Sequence, residues 1–265
     1  MPASDFLHLL NFKMLLTQAM RYCIINTVRY ISSVIYQIIH IELRHTNRED
    51  DGMAPRNKFT QEEMVAAALN VVRANGISAL TARAIADELG TSTQPVFTCF
   101  GTMDEAKKAV RTAAAALYDR YSAIGLSMKI PFYGFGMQHI KFAKDEPNLY
   151  RLLFLTPTAD GKNGAVESTE HSFEALRAPL MRIYDMTEEE AARYFRDMCL
   201  VGHSIATLIV TGGCPYSDEE ISDIITGFSI SLCRAIKEIP GFIQGKFDRF
   251  KAFSDVIENY RKDET

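Results

Sequence analysis

The sequence predicts an all-α fold: a three-helix helix-turn-helix domain joined to a larger helical bundle. Three observations carry that expectation. From Thr60 onward, Ser/Thr-x-x-Glu helix starts recur along the chain. Apolar residues keep a helical period after each of them, and strand-like alternation is scarce. No internal repeat or low-complexity tract interrupts the pattern.

The first segment does not share it. Residues 6–41 are dense in Leu, Ile, Val and Tyr, with Lys13, Arg21 and Arg29 spaced eight residues apart. The uncharged run from Tyr30 to Ile41 is shorter than the roughly 20 apolar residues a bilayer crossing needs, and no small-residue secretory cleavage site follows. Three readings stand for residues 1–52: upstream sequence outside the functional protein, an amphipathic helix on a membrane or partner, or an extra packed helix. The first is favoured, because Met53-Ala-Pro-Arg-Asn-Lys looks like a natural beginning. Residues 42–57 read as a polar linker.

Four capping boxes then open helices, at Thr60…Glu63, Thr102…Glu105, Thr187…Glu190 and Ser217…Glu220. Met64, Val65, Ala68, Leu69 and Val72 line one face of a first helix that stops near Asn75-Gly76. Thr81 caps a second, with Ile85, Ala86 and Leu89 inward, ending at Gly90. A third follows within "TSTQPVFTCF" (91–100), where Val96, Phe97 and Phe100 read as core. A long helix runs from Met103 to about Ser122 through an Ala-rich middle. Further on, Ile221, Ile224, Ile225, Phe228, Leu232 and Ile236 mark one helical stripe, and Phe247, Phe250, Ile257 and Tyr260 another over 241–261.

Bulk composition bounds the function. Of the 265 residues, 47% are hydrophobic and 23% charged, which excludes a disordered chain. The net charge of −4 leaves no global basic signature, so any nucleic-acid contact must come from a local patch. Cys23, Cys99, Cys199, Cys214 and Cys233 are far apart, with no C-x-x-C pair and no His at ligand spacing. They read as reduced thiols of a cytoplasmic protein rather than a disulfide framework or a metal site. Residues 128–238 contain no P-loop, G-x-S-x-G or H-E-x-x-H, so no catalysis and no cofactor is expected.

Three short helices with a tight Gly turn describe a helix-turn-helix, a weak signal alone. Residues 59–110, with an early Ala-rich helix, then "GISALTARAIADELG" and "FGTMDEAKKAV", resemble the DNA-binding domain of the TetR family of transcriptional regulators. The resemblance implies a DNA-binding domain at 53–110 and a ligand-binding and dimerisation domain at 111–265. It also implies a homodimer on a palindromic operator, released by a small molecule. By the same resemblance Thr93 and Gln94 read bases, Phe97 packs on the DNA backbone, and Thr81 contacts phosphate. Three positions depart from the family pattern: Cys99 replaces a His or Tyr, Met103 a Lys, and Phe97 lacks a hydroxyl.

The reading segment 91–100 carries no charge, so its chemistry must be hydroxyls, an amide and helix termini. Ser92, Thr93 and Thr98 offer hydroxyls, and Gln94 can bond adenine bidentately. Pro95 in the first turn stiffens the tip. The Coulomb contribution falls to Arg56, Lys58, Arg83, Lys107 and Lys108, nearly balanced by Asp87, Glu88, Asp104 and Glu105, which predicts a shallow salt dependence. Lys107 and Lys108 read equally as a solvated helix face.

The larger part favours a pocket for a largely apolar small molecule, by its aromatic and Met content. Phe135, His139, Phe142, Tyr150, Phe154, Phe173, Phe195, Met198 and His203 are its candidate lining; each taken singly suits a core equally well. Residues 156–165 read as a loop. The helices near 188–211, with small residues over 196–213, and 218–238 suit the homodimer interface that the resemblance implies, with internal packing as the alternative. The competing reading is an all-helical interaction or membrane-associated protein with a vestigial helix-turn-helix.

Overall fold

The expected helix starts are built as the sequence writes them, with one exception. The computed structural model describes residues 59–157 and 164–254, leaving aside the side chains of 164–171 and 175. Thr60, Thr187 and Ser217 each accept from the N–H three residues on, and Glu63, Glu190 and Glu220 each accept from the cap's own N–H. At Thr102 only half the box forms. Its hydroxyl accepts from Glu105 N–H at 3.2 Å, but the Glu105 carboxylate takes Lys108 Nζ at 2.8 Å instead.

The order is α1 (Gln61–Asn75), a 3₁₀ turn (Ile77–Ala79), α2 (Ala82–Glu88), α3 (Gln94–Phe100), α4 (Met103–Leu126) and α5 (Pro131–Asp145). Next come α6 (Pro147–Tyr150), which widens directly into a π-helical turn (Arg151–Leu155), then α7 (Gly164–Ile183), α8 (Glu188–Val210) and α9 (Asp218–Glu238). The described residues contain no strand.

Helices α1 to α3 close on a small core of Met64, Ala68, Val72, Ile85, Val96 and Phe100. Gly90, at φ +61°, makes the turn between α2 and α3 that a side chain would resist. The inward face of α1 is turned slightly from expectation: Ala67 and Val71 are buried, Val65 and Leu69 only half-buried. Helix α4 runs a turn longer than its pattern predicts and carries a buried row, Ala106, Val110, Ala114 and Tyr118. It packs antiparallel on α5, and the two backbones meet at Gly125 and Gly134, where a Cβ on Gly134 would stand 2.2 Å from Gly125 O. The described residues belong to one compact unit. Head and bundle are tied by Arg73 to Glu146 at 2.8 Å and by Asn148 Nδ2 donating to Arg73 O at 2.9 Å.

Two expectations need correction. The helix expected over 241–261 is interrupted by Pro240-Gly241 and a turn closed by Lys246 N–H on Gly241 O at 2.9 Å. Helix resumes only at 249, and Phe250 is solvent-exposed rather than part of a buried stripe. The loop over 156–165 ends earlier than expected, since Gly164 and Ala165 already belong to α7. Its residues 158–163, the whole segment 1–58 with Arg56 and Lys58, and the stripe residues Ile257 and Tyr260 lie outside the described residues.

Candidate functional site

Two places in the described residues present side chains beyond what packing requires. The first is α3. Val96 and Phe100 anchor it inward, which turns Ser92, Gln94, Phe97 and Thr98 to solvent, with Phe97 46% exposed. Thr93 is half-buried at the N-cap and makes no side-chain cap bond, and Pro95 occupies the first turn. Thr98 Oγ1 donates to Gln94 O at 3.0 Å, so its hydroxyl is engaged within the helix. Thr81 is committed as the α2 cap, accepting from Ala84 N–H at 3.1 Å, and retains its own hydroxyl proton for a further acceptor.

Among the described residues the flanking cations are paired. Lys107 Nζ lies 3.0 Å from Asp104, Lys108 Nζ 2.8 Å from Glu105, and Arg83 Nε 3.6 Å from Asp87. All three pairs are solvent-exposed, so they hold the side chains weakly and can be exchanged for another anion.

The second place is a cavity of about 480 Å³ between α4, α5, α7, α8 and the π turn, within the range of small-molecule sites. Of the candidate residues, Phe135, His139, Phe154, Phe173, Phe195, Met198 and His203 line it. Phe142 and Tyr150 do not. Phe142 is fully buried between Tyr118 and Tyr121, with ring centroids 5.2 and 5.3 Å away. Tyr150 is fully buried behind the wall, its hydroxyl 2.7 Å from His203 Nδ1. The His171 side chain lies outside the described residues.

The lining also includes Phe132, a member of the aromatic cluster over 132–154, and Tyr118, Gly136, Cys199 and Gly202, which residue-type reasoning passed over. For Tyr118 a signal existed: it is the one bulky member of the four-residue row otherwise made of Ala and Val along α4.

The polar chemistry of the cavity is concentrated in two Tyr–His pairs. Tyr118 hydroxyl lies 3.0 Å from His139 Nδ1, parallel to the Tyr150–His203 pair, and the Tyr150 ring stands between the imidazoles, with centroids 5.4 and 6.0 Å away. Burial, with His203 nearby, pushes His139 down to about 3, and burial also lowers His203, so both imidazoles are neutral near pH 7. Burial pushes the Cys199 thiol up to about 12, which leaves it an apolar wall group rather than a nucleophile. His139 Nε2 is buried without a partner.

The π turn that carries Phe154 is clamped to α4. Arg111 donates to Leu152 O, Leu153 O and Thr156 O at 2.8, 3.0 and 3.3 Å, satisfying carbonyls that the wide turn leaves free. One helix thus starts beside α3 and grips the cavity wall. Among the described residues no His, Cys, Asp or Glu group could hold a metal ion, and no helix is long and apolar enough to cross a membrane.

A three-helix head on an all-helical bundle with a central cavity is the TetR-like fold. A solved structure of that class, a TetR-like transcriptional regulator from Rhodococcus sp. RHA1, superposes on this chain with a TM-score of 0.51. The match covers 70% of this chain and 100% of that one at 16% sequence identity, so the likeness is one of fold. No protein-family model matches the chain, and no curated protein matches it in sequence.

Proposed function

We propose that this chain is a ligand-responsive transcriptional regulator, a repressor that binds a palindromic operator as a homodimer and is released by a small molecule. The observation that carries the reading is the single helix α4, which begins at the reading head and holds the cavity wall through Arg111. A ligand that displaces Phe154 would move the π turn, and through Arg111 the axis of α4. Two heads on a two-fold dimer must meet half-sites on one face of DNA, so a shift of a few ångströms weakens binding.

The dimer reading is supported by an exposed apolar face. Leu200, Ser204 and Leu208 stand in one row on α8, and Gly227, Phe228 and Ile230 are exposed on α9, within stretches that carry no charge. Leu200 is 60% and Phe228 56% exposed, a cost that a second copy covering the same face removes.

The test is a mobility shift of the full chain against DNA upstream of its own gene, with its mass in solution measured by light scattering. The reading expects a dimer and a discrete shifted band. A folded dimer giving no band at low salt would favour the interaction-protein reading, to which the paired cations of the head lend their weight. Arg111→Met is expected to leave ligand affinity within about threefold while reducing ligand-driven release about tenfold.

A further inference from the structure

The cavity has a direction. Helices α5 and α8 run parallel along it: Phe132 packs on Tyr194 and Phe195, with ring centroids 5.0 and 5.8 Å away. Seven residues further along both helices, His139 faces Gly202, where a Cβ would lie 3.8 Å from His139 Cδ2. At a rise of about 1.5 Å per residue, the two ends are about 10 Å apart. One end is a packed set of rings, Phe132, Phe135, Phe173 and Phe195. The other holds Tyr118, His139, Phe154 and His203.

The polar end has a defined hydrogen-bond sense. An imidazole nitrogen is a far better acceptor than a phenol oxygen, so Tyr118 donates to His139 Nδ1. That bond fixes the tautomer in which Nε2 carries the proton, a buried donor with no partner in the protein. A donor left so is costly, and a ligand acceptor that pushes in between His139 and the side chains packed over it would satisfy it. Among the described residues no cation lines this end. Arg196, the charged residue of the lining, adjoins Phe195 at the aromatic end and is bonded twice to Asp197, at 2.8 and 2.9 Å. A carboxylate at the histidine end would therefore be desolvated without a counter-charge.

We infer that the cavity takes an elongated, uncharged molecule: an aromatic or alicyclic body lying among the phenylalanines, and a terminal carbonyl of a ketone, ester or lactone accepting from His139 Nε2. The inference rests on the reading of the cavity as an effector site, but its test needs no DNA.

Calorimetric titration of the full chain with three probes of one shape decides it. The probes are a phenylcyclohexanone with its carbonyl opposite the phenyl group, the parent phenylcyclohexane, and the matching phenylcyclohexane carboxylate. The ketone is expected to bind, the carboxylate to bind at least tenfold more weakly, and the ketone-to-hydrocarbon affinity ratio to fall about tenfold in His139→Phe. His139→Gln, which keeps a side-chain N–H, should recover part of the ratio. His203→Phe, with helix content checked by circular dichroism, serves where His139→Phe does not fold, and should lower the ratio less than threefold.

An unchanged ratio in His139→Phe, a preference for the carboxylate, or no binding of any probe up to its solubility limit would overturn the inference. Ketone binding that leaves DNA affinity untouched would sink the regulatory reading and leave the ligand class standing.

Discussion

The head and the cavity bundle use polar side chains in opposite directions. Around α3, Ser92, Thr98 and the Gln94 amide face solvent, and the buried core is small and mostly aliphatic. In the bundle, Tyr118 and two histidines are turned inward onto a cavity, and Tyr118 and Tyr150, the latter behind the wall, are each bonded to one of those histidines. An outward polar face keeps its hydration until a partner arrives and costs little while waiting. An inward polar group must be satisfied within the fold or by a ligand, so it has already lost its water. The difference teaches what each region offers a partner: the head exchangeable surface bonds, the bundle an unmet buried donor.

The largest expected effect tests the division within the bundle itself. Phe142 is core, so Phe142→Ala should cost about 3–5 kcal/mol of stability in urea denaturation. Phe142→Leu should leave the ligand ratio unaltered, whereas a change in that ratio would return Phe142 to the cavity wall. Gly134→Ala follows, at about 3 kcal/mol, because the new methyl would meet the Gly125 backbone, which cannot yield as a side-chain tip can. A loss below about 1 kcal/mol would mean that α4 and α5 separate easily and that their approach at this point is not fixed.

What was legible in the residues is what depends on neighbours along the chain. Thr60, Thr187 and Ser217 cap their helices through atoms three residues away, and the all-helical fold follows from such local bonds. Thr102 shows the limit, since Glu105 had a second partner at the same range in Lys108. The cavity was legible only as composition. Phe142, Tyr150 and Phe154 are alike in type and close in sequence, yet Phe154 lines the cavity and the other two do not. The π turn through 151–155 breaks the 3.6-residue phase that a periodic reading extrapolates. His139 and His203 are far apart in the chain and meet only through the parallel register of α5 and α8, which no local pattern encodes.

The next effect separates the regions by pH. His139 has its folded value lowered to about 3 from an ordinary 6.5, and His203 is lowered as well. Between those values the unfolded chain holds a proton that the folded chain refuses. Stability is therefore complete above about pH 6.5 and falls as pH drops, by up to about 1.4 kcal/mol per unit for His139 alone. Urea midpoints between pH 6.5 and 5, above the carboxylate range, should show the slope, and His139→Phe should reduce it. Substitutions confined to α3 should leave it intact.

The smallest effects belong to the head. Gln94→Ala should relax preference at one base position by about 1–3 kcal/mol of discrimination, and an equal loss on every sequence would refute its role in reading bases. Lys107→Ala is expected to act differently, because Lys107 already holds an anion. Its ammonium sits 3.0 Å from Asp104, so a phosphate contact must replace that bond rather than add to it. The net change in affinity should stay under about 1 kcal/mol and be the same for all DNA sequences. If the contact forms, the slope of log affinity against log salt should fall by about one unit in the variant. If Lys107 only solvates the face of α4, the slope will not move. Asp104→Asn then gives the converse: freed from its carboxylate, Lys107 should bind phosphate more tightly, and affinity should rise together with the salt slope.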